Sequence, residues 1–159
     1  MKTWWKISTV ALLVIAGGLS CFFWKQGEPR RNSIKTLNDF SHALNSEDSA
    51  ALLESVVLPR AFQGETISEQ SEFLIKALQD EISSEGVLAL KHHAVFGSLE
   101  EIFPDKASAW CEQANVNPDN CVAFKMERSG IRAEVVLVRE QSGYRVLRCN
   151  NVKQMAGDG

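Results

Sequence analysis

CVAFKMERSGIRAEVVLVREQSGYRVLRCNNV, running from Cys121 to Val152, is the stretch whose reading decides the fold. Three runs rich in Val, Leu, Phe, Ile and Tyr are divided by two turn signals, Arg128-Ser129-Gly130-Ile131 and Gln141-Ser142-Gly143-Tyr144. Each signal holds a glycine, which reaches positive φ at little steric cost. The pattern predicts a three-stranded antiparallel meander. Closing its first hairpin on Ser129-Gly130 sets Met126 opposite Ala133, Phe124 opposite Val135 and Val122 opposite Leu137, which makes one face apolar. Strict alternation gives the other face Ala123, Val136, Val138, Leu147 and Cys149, with Lys125, Glu127, Glu134 and Arg145 towards its ends.

The same alternation lands Arg148 on the apolar face, where a charge needs a partner. Arg148 is therefore read either as half of a buried ion pair that fixes helices on the sheet or, with Asn150 and Tyr144, as the polar end of a ligand pocket. Three strands alone are marginal in water, so helices from upstream must cover at least one side, and the class is α+β.

Those helices are legible in order. Ile34, Leu37, Phe40, Ala43 and Leu44 recur at helical spacing, with Asn45 placed to end the helix in a left-handed conformation. Ser46 or Asp48 caps a second helix carrying Leu52, Leu53, Val56 and Val57, which Pro59 stops. Phe62 is expected in the core, Thr66 to Glu69 reads as a capping box, and Phe73, Leu74, Ala77, Leu78 and Ile82 line a third helix. Ser83 to Gly86 breaks the pattern. Val87 to Phe96 fits either a strand or a helix and is read as helix. Leu99, Ile102 and Phe103 pack a short turn, and after Pro104-Asp105 a last helix puts Ala107, Trp110, Cys111 and Ala114 on one face.

The N-terminus departs from an otherwise ordinary globular composition of 45% hydrophobic and 23% charged residues. Ile7 to Trp24 is a run of 18 residues without a formal charge, preceded by Lys2 and Lys6 and followed by Lys25, Arg30 and Arg31. It is membrane-directed, and three readings stay open. Trp4, Trp5 and Trp24 at its ends resemble the aromatic belts of a retained helix, and the length is near the ~20 residues that crossing requires. Gly18-Leu19-Ser20-Cys21 resembles a lipobox in which Cys21 would be acylated. Simple cleavage as a signal peptide is the third. The expected layout is a signal or anchor over 1–25, a polar linker over 26–32 and a single domain over 33–156, held at the cell membrane on the extracytoplasmic side.

That placement permits disulfides. Cys111 and Cys121 are joined by EQANVNPDN, whose turn residues can bring them together, so the pair reads either as a disulfide or, with Cys149, as small buried apolar residues. Cys121 and Cys149 fall on the outer strands of the meander, about two strand spacings apart, beyond bridging distance.

Charge is unevenly placed. From Ser33 to Asn120 there are 5 Lys or Arg against 15 Asp or Glu, and from Cys121 to Gly159 there are 7 against 4. An acidic helical part with a basic sheet argues against nucleic acid as a partner, which would need a basic stripe with interleaved aromatics. Phosphate loops, dinucleotide fingerprints, nucleophile elbows, zincin helices and CxxC pairs do not occur in the chain. His92 and His93 are adjacent and so point to different sides, and Cys111, Cys121, Cys149 and His92 match no closed zinc spacing. No cofactor and no metal is called for. Glu127 and Glu134, beside Lys125 and Arg132, read as cross-strand charge pairing.

FSHALNSEDSAALLESVVLP, Phe40 to Pro59, together with the order of helices followed by a C-terminal antiparallel sheet, resembles the NTF2-like superfamily. The resemblance implies a curved sheet wrapped round a long helix as a cone, with a pocket between sheet and helices for a small molecule. It carries over no catalytic residue. The chain is thus expected to be a membrane-tethered binding or assembly module with a protein partner, the alternative being an NTF2-like small-molecule binder or small enzyme.

Overall fold

The computed structural model describes residues 27–57 and 75–156, and the chain divides into two compact units, 1–32 and 33–159. Of the first unit only 27–32 are described, and these residues, expected as a linker, are helical. The apolar run from Ile7 to Trp24 and Cys21 lie outside the described residues. Among the described residues no helix is long and apolar enough to cross a membrane. Phe62, Pro59, the Thr66 capping box, Phe73 and Leu74 also fall outside them.

Ser129 and Gly130 both take positive φ, 51° and 79°, which twists a two-residue turn in the sense that paired strands require. The hairpin closes β2 (Cys121–Arg128) on β3 (Ile131–Glu140) with Met126 facing Ala133, Phe124 facing Val135 and Val122 facing Leu137, in the expected register. Asparagine holds a left-handed conformation more readily than serine. Ser129→Asn is therefore expected to stabilise the domain by about 0.5 kcal/mol, read as a higher urea midpoint at an unchanged m-value. A midpoint that stays or falls would show that the turn does not limit the hairpin.

Gly143 opens β4 (Gly143–Asn150) opposite Glu140, completing the meander. A fourth strand, β1 (Val95–Ser98), pairs antiparallel with β2 on its other side, so the sheet order is β1-β2-β3-β4. The ambiguous segment over 87–96 is thus both things in turn. Ser83 caps a helix that runs to His93, its hydroxyl accepting from the Gly86 amide at 3.1 Å, and the chain then extends so that Phe96 stacks on Phe124 with ring centroids 4.7 Å apart.

One irregularity changes the reading of β4. Val136 pairs with Arg148 but Leu137 pairs with Val146, leaving Leu147 as an extra residue. A bulge of this kind reverses the alternation beyond it. Arg148 therefore shares a face with Val136, not with Val135 and Leu137 as strict alternation required, and Cys149 turns to the apolar face instead.

Helices cover both sides of the sheet. On the first side, α1 (33–45), α2 (Ser49–Ser55), α3 (75–81) and α4 (Ser84–His93) bring Leu37, Phe40, Leu44, Leu52, Val87 and Leu90 against Phe124, Val135 and Leu137. The Asp48 carboxylate caps α2 by accepting from Ala51 N–H at 3.1 Å, and Glu47, rather than Asn45, takes the left-handed conformation between α1 and α2. The Gln79 amide donates to Leu44 O at 2.9 Å and ties α3 to the end of α1. After β4 a 3-10 turn over Lys153–Ala156 buries Met155 in the same core. On the second side, α5 (Leu99–Ile102), opened by a Ser98 and Glu101 capping box, and α6 (Ala107–Ala114) place Leu99, Phe103, Ala107, Cys111 and Ala114 on Cys121, Ala123, Val136 and Val138. Val57 donates its amide to Val146 O at 2.9 Å, so the chain beyond α2 covers part of the free edge of β4.

Candidate functional site

Glu134 sits in the middle of β3 on the second face, within the buried run from Ala133 to Val138, and is only 4% exposed. A carboxylate cannot be placed there without counter-charge, and three cations supply it. Lys106, at the N-terminal end of α6, donates from Nζ to Oε1 at 3.3 Å. Arg132, two residues upstream on the same face, brings Nε to 2.9 Å from Oε1, a close ion pair without the alignment of a hydrogen bond. Arg148, turned onto this face by the bulge, holds Nε 4.0 Å from Oε2.

Two aromatic rings stand among these charges. Phe103 and Trp110 meet edge to face at 5.2 Å. The Lys106 ammonium lies 5.2 Å from the Trp110 centroid, the Arg132 guanidinium 5.5 Å from Phe103 and the Arg148 guanidinium 4.8 Å from Trp110. The cation side chains remain 41–46% exposed. Each ion pair therefore contributes only about 0–1 kcal/mol, and each ring contact about 0.5–1 kcal/mol. Together they hold three flexible side chains over one patch. Counting +3 from the cations against −1 from Glu134 leaves the cluster at +2. The Asn151 side-chain amide donates to Arg132 O at 3.1 Å and steadies the backbone beneath it.

Of the residues singled out from the sequence, Arg148 belongs to this patch but is exposed, so it is not the buried partner that strict alternation implied. Asn150 lies opposite Glu134 in the register and shares its face. Tyr144 lies on the opposite face, packed at the margin of the first core, so the proposed group of three is divided by the sheet. Glu127 is opposite Arg132 and Glu134 opposite Lys125, while the carboxylate of Glu134 pairs with Lys106, Arg132 and Arg148. The partners missed in the sequence had a signal: Glu134 is a charge in the midst of AEVVLV, and Lys106 and Trp110 are four apart on one helical face.

The cysteines sit at the other end of α6. Asn115 ends that helix in a left-handed conformation, φ 57°, and the loop folds back so that Cys121 enters β2 beneath it. Cys111 Sγ and Cys121 Sγ are 3.8 Å apart, both buried and both free thiols. Burial pushes the Cys111 thiol up and that of Cys121 up to about 12. Cys149 is likewise raised by burial and then by the charge of Glu81. One strand, β3, lies between Cys121 and Cys149, and the two side chains are on opposite faces of the sheet. His42, His92 and His93 are exposed, and among the described residues no group of three or more potential ligands could hold a metal.

Comparison of the chain with protein-family models, with curated proteins and with solved structures finds no match in any of the three.

Proposed function

We propose that the chain is a binding or assembly module, tethered at the extracytoplasmic side of a membrane through residues 1–25, whose contact face is the patch of Trp110, Lys106, Arg132 and Arg148. The observation that carries this reading is the grouping of exposed cations and a half-buried Trp around the buried Glu134. Trp and Arg are the residues in which binding energy concentrates at protein interfaces, because each adds a large contact area with few rotatable bonds or a planar set of donors. The tether is supported by the Ile7 to Trp24 run and its flanking Trp residues. The pocket of an NTF2-like small-molecule binder has less behind it, since close-packed apolar side chains line both faces of the sheet.

The test places a photo-crosslinking residue at Gln113, exposed one helical turn beyond Trp110, and as a control at His93 on the other side of the sheet. In cells expressing the full chain, an adduct of defined mass is expected from position 113, absent from position 93 and lost on Trp110→Ala. An adduct that survives Trp110→Ala, or none from position 113, overturns the contact face. Fractionation with and without Cys21→Ala checks the tether. Full-length protein found wholly in the soluble fraction would overturn it.

A further inference from the structure

The three cations around Glu134 hold far more donors than Glu134 accepts. A lysine has three N–H donors and an arginine five, in a fixed fork. The described contacts use one of them as a hydrogen bond to the carboxylate, that of Lys106. Arg148 contributes charge from 4.0 Å, and its guanidinium is held 4.8 Å from the Trp110 ring instead. Its rotamer freedom is thus already restricted while its planar fork stays unspent, the preorganised state that favours binding.

We infer that Lys106, Arg132 and Arg148 form a seat for a carboxylate borne by an acidic segment of a partner protein, with Arg148 engaging it through two parallel N–H donors. The inference rests on the reading of this patch as the contact face. An anion placed there meets the +2 charge of the cluster, and the half-buried Trp110 supplies flanking apolar surface. A guanidinium fork matches the planar carboxylate in both spacing and shape.

An anionic membrane surface is the competing ligand, and magnitude argues against it. A basic residue near such a surface is worth about 1 kcal/mol, so two net charges add only about 2 kcal/mol to a chain that the tether already holds at the membrane. The patch offers no large exposed aliphatic side chain to insert: among the described residues Leu88 and Val95 are the exposed large hydrophobics, and they belong to α4 and β1.

The test uses the full chain in zwitterionic detergent micelles and a fluorescently labelled, terminally blocked peptide of glutamate and glycine, with binding read as polarisation. Binding is expected to weaken at least tenfold in Arg148→Ala and in Lys106→Ala, and severalfold in Arg148→Lys, which keeps the charge but loses the fork. Arg139→Ala, which removes a charge elsewhere on the sheet, is expected to leave binding within twofold. Glu134→Gln removes the internal competitor for the same donors and is expected to tighten binding severalfold, an effect that general damage to the structure would not produce. Thermal melts of each variant exclude unfolding.

Equal loss in Arg139→Ala and Arg148→Ala would overturn the seat as mere net charge. So would full affinity in Arg148→Ala, or complete displacement of the peptide by phosphatidylglycerol mixed into the micelles, which would assign the patch to lipid. A crosslink at position 113 without peptide binding removes the seat and leaves the contact face. Peptide binding without the crosslink removes the proposed module and leaves the seat.

Discussion

Replacing Gly86 with alanine is expected to destabilise the domain by about 2–4 kcal/mol. In an exposed helix the same exchange would stabilise by up to about 1 kcal/mol, because glycine has the more flexible unfolded chain. Here the sign is reversed by contact with backbone. A Cβ at Gly86 would stand 2.1 Å from Val152 O and 2.7 Å from Val152 C, and neither atom can rotate away as a side-chain end could. Gly86 lies in the first turn of α4, where its amide also serves the Ser83 cap. Accommodating the methyl group therefore means moving α4 off the buried Val152, or moving the segment that carries Val152 and Met155 out of the first core. The comparison is Gly97→Ala, whose new Cβ would meet the ends of Glu101 and Ile102 at 3.0–3.3 Å. Those groups can give way, and a loss of less than about 1 kcal/mol is expected. Urea unfolding of the two variants decides the matter: a Gly86→Ala protein as stable as the parent would show that α4 is not seated on Val152.

The second large effect is expected from the thiols of Cys111 and Cys121. Bringing sulfurs from 3.8 Å to the ~2.05 Å of a disulfide needs a closure of about 1.8 Å, within reach of small side-chain rotations. The bond would close a loop ten residues apart in sequence, worth about 2–3 kcal/mol by constraining the unfolded chain. Two thiols give up two protons and two electrons to a disulfide oxidant such as oxidised glutathione, which leaves as two thiols. Attack requires a thiolate, and burial keeps both groups protonated, with Cys121 raised to about 12. Oxidation is thus expected during folding and to be very slow once the reduced domain has folded.

Refolding with oxidised glutathione should yield a linked peptide pair on digestion without reductant. It should also raise the urea midpoint over that of the Cys111→Ser, Cys121→Ser double variant. Free thiols after oxidative refolding would sink the prediction. In the reduced domain the raised thiol of Cys121 contributes stability that is complete below the ordinary value of 9.0 and declines as pH rises towards about 12, because the unfolded chain ionises first.

The part of this architecture that could be read in advance was the part fixed by local chemistry and alternation. Ser129-Gly130 determines the first hairpin, and the matching of Val122 with Leu137 and Met126 with Ala133 leaves one register with a buried face. β1 could not be read, because Val95 to Ser98 is four residues long, follows a helix directly, and acquires its strand character only from pairing with Val122 to Lys125. The bulge gives no warning either: Leu147 is flanked by Val146 and Arg148, with neither glycine nor proline to mark it. Since Arg148 reaches Glu134 only through that bulge, and Lys106 only through the docking of α6, the candidate site lies beyond alternation, although Arg148 itself stands out in the sequence as a charge that needs a partner.

Leu147 inverts the parity of the strand that contains it. Val146 and Cys149, three apart, look into the same core, so an odd spacing does here what an even one does in a regular strand. Any alignment of this segment to an unbulged strand slips by one residue past Leu147, and substitutions at 148 and 149 must be judged with their faces exchanged. An apolar residue at 148 would then be a change to the charged surface beside Trp110, and a polar residue at 149 a change to the core. A single inserted residue thus decides which of two neighbours meets solvent.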